Sequence, residues 1–251
     1  APICLVCRPG VGRLPGGVRV LAGDPGAPGP WQEELARADA CVNLAGEPLD
    51  ARWNEERKRR FRASRVDAAR NVAEVVRARG PAVLVSASAV GFYGDRGDEE
   101  LDEASAQGTG FLADLCRAWE GAAAPAAGRA RVVLLRTGLA LSAEGGALPR
   151  MARPFRLFAG GPLGDGTAFQ PWIHLADVVG IAPLALDDTP ADGILAGPEA
   201  LGHGLVHHRH PRPAGAAARD EPAPAHDADA HRREAGRRDR VAVGGVAVRG
   251  A

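Results

Sequence analysis

The sequence holds one lysine, Lys58, and one tyrosine, Tyr93, in 251 residues, so any role for an amine or a phenol has a single candidate. It has four cysteines: Cys4, Cys7, Cys41 and Cys116. Three lie in strand-like apolar runs and Cys116 in a helical one. That distribution excludes a disulfide framework and reads as reduced core thiols of a cytosolic protein. Cys4-x-x-Cys7 has zinc-knuckle spacing, but no second pair follows, and residues three apart on a strand point to opposite faces. No metal site is expected. No apolar run approaches the ~20 residues of a membrane span, and no charged segment with an apolar run behind it marks a secretory signal. Formal net charge is zero and the pI is about 7.3. No basic field is available to draw nucleic acid or an anionic membrane surface. A cytoplasmic protein with a small-molecule partner is the expectation. The chain starts at Ala1 rather than Met, and its Arg, Ala, Gly and Pro content suggests a GC-rich coding sequence.

Up to about residue 196, short β-branched runs alternate with helical ones. ICLVC (3–7), VRVLAGD (18–24), DACVNLAG (39–46), AVLVSAS (82–88), ARVVLLRTG (130–138) and DGILAG (192–197) read as strands. WQEELARA (31–38), NEERKRRFRASRVDAARNVAEVVRARG (54–80), TGFLADLCRAWEGAAA (109–124) and LADVVGIAPLAL (175–186) read as helices. Apolar residues at three- and four-residue spacing carry the helical readings. Residues 139–175 read as one long Gly-rich loop region. Such alternation implies right-handed βαβ units and a doubly wound parallel sheet covered on both faces. Ligands of these sheets bind beyond the carboxyl ends of the strands.

After Leu201 the character changes. From His207 to Arg240 there is no Val, Ile, Leu, Met, Phe, Tyr or Trp. Such a stretch cannot bury enough apolar surface to offset its ordering entropy. The division is therefore an α/β domain over 1–200 and a low-complexity tail over 201–251, expected to be disordered. Six of the seven histidines (203, 207, 208, 210, 226, 231) fall in this part, and HHRH (207–210) suits incidental metal binding only. A reading-frame shift would produce the same change, which resequencing around codons 196–203 tests.

The glycines of GVGRLPGG (10–17) follow a strand, as a phosphate-binding turn would. The context fails. Pro15 interrupts them and another strand follows at once, leaving no room for the helix whose N-terminus holds the phosphates.

The residues just after the strands are the site candidates. Asp24 ends one strand. Asn43, Leu44, Ala45 and Gly46 form a turn where backbone can approach a flat ligand, or one that is only a turn. Ser86 and Ser88 end a buried strand and can bind a ligand oxygen or cap the next turn. Arg136 ends another strand. Glu47, Arg52 and Trp53 follow the NLAG turn, with a cation beside an aromatic plane as one reading. Tyr93 sits in GFYG (91–94), as a catalyst or a turn residue. Trp172, His174 and Asp177 precede and open a helix, and His174 is the one histidine before residue 200. A lone His is either a hydrogen-bonder or a catalyst.

NLAGEPLDARWNEERK (43–58), SASAVGFYGDRGDEELDE (86–103), FLADLCRAWEGAA (111–123), RTGLALSAEGGALPRM (136–151), PFRLFAGGPLGDG (154–166) and WIHLADV (172–178) together resemble one family. It is the atypical branch of the extended short-chain dehydrogenase/reductases known as epimerase family proteins, of the NAD(P)-dependent nucleoside-diphosphate-sugar epimerase type. The resemblance runs from about residue 3 to about 196. It implies a Rossmann-type domain binding NADP in preference to NAD. It places the family's catalytic serine at Ser88; Tyr93 and His174, which lies where extended relatives close the substrate cleft, are the further catalytic candidates. It assigns cofactor contacts to Arg8, Asp24, the Asn43–Gly46 turn, Ser86 and Arg136, and substrate contacts to Glu47, Arg52, Trp53, Trp172 and Asp177. Arg8 stands where an arginine suits the 2′-phosphate of NADP, or is a solvated loop residue.

The wider superfamily uses a Tyr-x-x-x-Lys pair on the helix after the serine strand. Here Leu112 and Cys116 take those places. Neither is a good proton donor at neutral pH. The resemblance also matches ICLVCRPG to the family's second strand. The first strand, its glycine turn and its helix would then precede residue 1. The expectation is a truncated Rossmann-type sheet lacking its first, central strand, with unpaired apolar edges beside the gap and weak NADP(H) binding at best. Two functions remain: an epimerase or oxidoreductase acting on a sugar nucleotide or carbonyl compound, and a non-catalytic dinucleotide-sensing or partner-binding module. An inactive truncated product is the third outcome. Substrate and oligomeric state are open.

Overall fold

A computed structural model describes residues 3–7, 16–50, 52–161, 166, 169–186, 193–196 and 246–249, the segments 3–7, 193–196 and 246–249 by backbone alone. Arg8, most of the GVGRLPGG stretch and the histidine-rich tract lie outside the described residues.

The chain runs β1 (Ile3–Cys7), β2 (Val18–Ala22), α1 (Trp31–Leu35), β3 (Ala40–Asn43), α2 (Glu55–Arg79) and β4 (Val83–Ala89). A 3-10 turn over Val90–Tyr93 leads to α3 (Phe111–Ala123) and β5 (Arg131–Thr137). Then come β6 (Leu139–Ser142), β7 (Gly145–Gly146), α4 (Ala147–Arg156), β8 (Trp172–His174), α5 (Leu175–Leu186), β9 (Gly193–Ala196) and β10 (Val246–Arg249).

The long helix α2 shows how sequence makes structure here. Asn54 is extended, with φ −144°, and its side-chain oxygen accepts the Arg57 N–H at 2.8 Å. This N-cap satisfies one of the four free N–H groups that begin a helix. Glu55 and Glu56 open it and Arg77 and Arg79 close it, each sign suited to the helix dipole. Phe61, Val66, Ala69, Val72, Ala73 and Val76 form its buried stripe.

The main sheet has seven strands in the order β2-β1-β10-β3-β4-β5-β9. The pairs β1–β2, β3–β4, β4–β5 and β5–β9 are parallel. α1 and α2 cover one face, where Trp31, Leu35, Val72 and Val76 meet Cys41 and Leu84. α5 covers the other, where Ile181 and Ala185 meet Val42, Val85 and Val133. α3 packs beside α2, Leu115 and Trp119 against Phe61 and Val66. The expected doubly wound α/β fold is present.

Two expectations need correction. Residues 139–175 are not a plain loop: they hold β6, β7, α4 and β8, which make a second, three-stranded sheet in the order β7-β6-β8. The strands are two to four residues long, too short for any period to show. The gap in the main sheet is also not left open. β10, from the tail expected to be disordered, lies between β1 and β3 and runs antiparallel to both. Val246-Ala247-Val248 is the apolar end of a polar tail, and backbone pairing accepts either strand direction.

Candidate active site

The parallel register stacks the polar strand ends. Asn43 of β3 pairs with Ser86 of β4, and Ser88 of β4 pairs with Arg136 of β5. Side chains alternate along a strand, so Ser86 and Ser88 share a face. That face is the one α3 covers, because the Ser88 hydroxyl donates to Glu120 Oε1 at 2.6 Å.

Glu120 is held in turn by a bidentate clamp. Arg136 Nε donates to Oε1 and Nη2 to Oε2, each at 2.8 Å. Arg136 Nη1 donates to the Tyr93 hydroxyl at 3.0 Å and to the Glu103 carbonyl at 3.4 Å. Its guanidinium lies 3.5 Å from the centroid of the Phe92 ring. The Arg136 side chain is 3% exposed and Glu120 10%. Burial opposes the Arg136 charge, and its hydrogen bonds to Glu120 and Tyr93 outweigh it, holding the guanidinium pKa above its ordinary value. Burial pushes the Tyr93 phenol up, against the pull of Arg136. Burial, then the Glu120 charge, pushes the Cys116 thiol up to about 11.

Gly108 locks the rim of this cluster. Its N–H donates to the Phe92 carbonyl at 3.0 Å, and a Cβ there would overlap the Tyr93 carbonyl oxygen. The acidic loop between Gly94 and Gly108 is thereby closed onto the turn that carries Tyr93.

The structure thus brings Ser88, Tyr93 and Arg136 into one network. Arg136, expected to touch a cofactor, spends its donors on Glu120, Tyr93 and Glu103. Tyr93 is buried at 3% exposure, with its hydroxyl accepting from Arg136. Glu120 was not among the expected site residues. Its signal was present: it follows Leu112 and Cys116 at four-residue steps on α3, so it stands on their face of the helix.

The NLAG turn is ordered by its own residues. Asn43 Oδ1 accepts the Ala45 N–H at 3.2 Å, and Ser64 Oγ accepts the Glu47 N–H at 3.0 Å. Leu44 is partly buried and Gly46 exposed. The Glu47 carboxylate takes Arg60 at 2.6 Å. Trp53 stacks edge-on to Phe61 and Phe111 and donates to the Leu49 carbonyl, and exposed Arg52 makes no ring contact among the described residues. Asp24 is exposed and closes its own turn by accepting the Gly26 N–H. Trp172 and Asp177 are exposed in the β8–α5 segment. His174 Nδ1 accepts the Ala176 N–H at 3.1 Å, which caps α5 and leaves Nε2 as the protonated nitrogen. These partners of Asn43, Glu47, Trp53 and His174 are none of the residues of the Ser88 network.

Two polar groups at the β3–β4 ends have no partner. Asn43 Nδ2 and Ser86 Oγ are buried, at 0% and 1% exposure, without a hydrogen bond. Groups of this kind call for a bound ligand or ordered water. No cluster of three or more His, Cys, Asp or Glu among the described residues could hold a metal ion. No described helix is long and apolar enough to cross a membrane.

The model of the NAD dependent epimerase/dehydratase family matches residues 10–195. The chain belongs to that family. It is 41% identical over 172 residues to an Arabidopsis thaliana protein named epimerase family protein SDR39U1 homolog, chloroplastic, covering 66% of this chain and 49% of the relative. It is 44% identical over 147 residues to the Mycobacterium tuberculosis epimerase family protein MT2273, covering 58% and 49%. The chain spans about half the length of these curated relatives. Among solved structures, human epimerase family protein SDR39U1 (isoform 2) with NADPH is similar at a TM-score of 0.62 and 35% identity, covering 72% of this chain and 65% of that one. The nucleoside-diphosphate sugar epimerase of Corynebacterium glutamicum is similar at 0.62 and 41%, covering 74% and 39%. Bordetella bronchiseptica WbmG in complex with NAD, at 17% identity and 0.61, shows the fold alone.

A nicotinamide dinucleotide is the cofactor such a family implies. The two orphaned groups, Asn43 Nδ2 and Ser86 Oγ, and the exposed Gly46 turn fit one side of it. No helix N-terminus follows the central strand among the described residues, since β10 runs the opposite way.

Proposed function

We propose that the chain is an NADP(H)-binding protein of epimerase or oxidoreductase type acting on a small carbonyl compound or sugar nucleotide. The observation that carries this reading is the Ser88 hydroxyl, placed at a strand's carboxyl end with its proton committed to Glu120 at 2.6 Å. The human relative solved with NADPH supports the choice of NADP over NAD. A cytoplasmic location belongs to the same proposal.

A nicotinamide bound there would supply hydride exchange with a carbon of the substrate. Asn43, Ser86 and the Gly46 turn would hold it. Ser88 gives its own proton to Glu120, so it meets a ligand with lone pairs. It accepts the hydrogen of a substrate hydroxyl, orienting that oxygen. As that proton arrives at Ser88 Oγ, the serine proton shifts to Glu120 Oε1. Arg136 fixes Glu120 in line through its bidentate hydrogen bonds. Leu112 and Cys116 contribute no proton, because one is a hydrocarbon and the other is a thiol pushed up to about 11.

Loss of NADPH absorbance with a panel of sugar nucleotides and aldehydes tests the reading. Ser88→Ala is expected to lower turnover by about 10²–10⁴-fold. A second reading rests on Leu112 and Cys116: a dinucleotide-sensing module that binds without turning over. Saturable NADPH binding with no turnover across the panel selects it.

A further inference from the structure

Arg65, on α2, is a partly buried cation with no carboxylate of its own. The two nearest acids in the site are taken: Glu47 by Arg60 and Glu120 by Arg136. Arg65 spends one nitrogen, Nη1, on the Phe61 carbonyl at 3.3 Å and weakly on Ser64 Oγ at 3.4 Å. Nε and Nη2 make no hydrogen bond among the described residues. Two surfaces hold the guanidinium. A Cβ built on Gly46 would stand 3.1 Å from Cζ, 3.2 Å from Nη2 and 3.3 Å from Nε, which puts the backbone of the NLAG turn over the flat face of the group. The Trp119 ring centroid lies 5.4 Å away. A side chain at 46 would press on the Arg65 guanidinium, which would have to give by a few tenths of an ångström.

Burial lowers the pKa of the Arg65 guanidinium from its ordinary value, offset only in part by Cys116 and by Glu47, whose carboxylate is already bonded to Arg60. A partly desolvated cation with no direct carboxylate partner costs stability in the ligand-free protein. A planar fork with two adjacent free donors matches two oxygens of a phosphate or carboxylate.

We propose that Arg65 is an anion-binding residue of this cleft, gripping two phosphate oxygens of the ligand through Nε and Nη2. Its place, between the NLAG turn and the α3 face that carries Cys116, restores a positive charge beside the position left by the absent lysine. The oxygens belong to the dinucleotide itself or to a phosphorylated substrate. This inference rests on the dinucleotide reading of the same site, and its test separates the two.

The 251-residue chain is titrated with NADPH, with UDP and with inorganic pyrophosphate, as wild type, Arg65→Met, Arg65→Lys and, as a control on the same helix, Arg62→Met. Arg65→Met is expected to weaken at least one probe about tenfold or more, while its melting temperature stays equal or rises. Arg65→Lys keeps the charge without the fork and falls between the two. Arg62→Met leaves binding unchanged. Loss confined to NADPH assigns the oxygens to the dinucleotide; loss confined to UDP or pyrophosphate assigns them to a substrate phosphate. Wild type that binds UDP or pyrophosphate through Arg65 but not NADPH refutes the dinucleotide reading and leaves the anion site standing. The proposal is overturned if wild type binds none of the probes, or if Arg65→Met lowers the melting temperature and binds all three as wild type does. Should Arg65→Met fail to fold, unchanged binding by Arg65→Lys overturns it.

Discussion

The two halves of the main sheet differ in one respect, strand direction. From β3 to β9 every pair is parallel, and polar side chains meet at the carboxyl ends. Between β1 and β3, β10 pairs on both sides but runs backwards. Hydrogen bonding is satisfied in both halves, because a ladder forms with either orientation. A phosphate site is not so tolerant. It needs a strand leading into a turn and a helix whose N-terminus faces the ligand. Filling the sheet and building a phosphate site are therefore separate achievements: β10 does the first without the second, while the β3–β5 half gathers its polar strand ends at one edge.

The largest effect that would break this comparison lies in β10. Val248 stands opposite Cys4 on one side and Cys41 on the other. Val248→Pro removes a ladder donor from a central strand, where proline is not tolerated. Cooperative urea unfolding is expected to be lost; a transition unchanged from wild type means that β10 does not close the sheet.

Next comes the clamp in the other half. Glu120→Ala leaves the Arg136 guanidinium buried and unpaired, with an expected cost of about 3–5 kcal/mol. The double variant Glu120→Leu, Arg136→Met removes both charges and is expected to lose less. Chemical denaturation of the three proteins measures both. Equal losses in single and double variants would mean that packing, not charge, holds Ser88.

How much of this was legible in the sequence follows from the same physics. The parallel half was readable, because buried strands are continuous apolar runs and α2 and α3 carry long stripes. Asn43, Ser86, Ser88 and Arg136 were readable as strand-end polar residues. Arg65 was not, since it looks like one more charge on a solvated helix until packing shows what it faces; Glu120 could be placed on the face of Leu112 and Cys116, but its pairing with Arg136 could not. β10 was invisible for a different reason. Four residues at the end of a polar tail carry no period, and their partners are about two hundred residues away. β6 and β8 hid among glycines in the same way.

Alkaline pH sharpens the contrast with a smaller effect. Burial raises the Cys116 thiol from its ordinary 9.0 to about 11. A raised value in the folded state gives stability that is fully present below the unfolded value and is lost as pH climbs. Unfolding free energy is expected to fall between about pH 9 and pH 11, by about 1.4 kcal/mol per unit for this group. Cys116→Ala, measured by denaturation across that range, should flatten the slope. An identical slope removes Cys116 from the account. The smallest effect belongs to the cap of α2: Asn54→Ala is expected to cost about 1 kcal/mol without changing ligand binding, as read by a thermal melt beside an NADPH titration.

The central claim is that the parallel half holds a nicotinamide ligand while the reversed strand withholds the diphosphate anchor. Calorimetric titration of the full chain with NADPH and, separately, with reduced nicotinamide mononucleotide tests it most directly. The account predicts affinities within about tenfold of one another, a difference of about 1.4 kcal/mol or less, because the diphosphate finds no helix N-terminus and both ligands carry a phosphate that Arg65 can take. NADPH binding at micromolar affinity or tighter, a hundredfold or more beyond the mononucleotide, would contradict it.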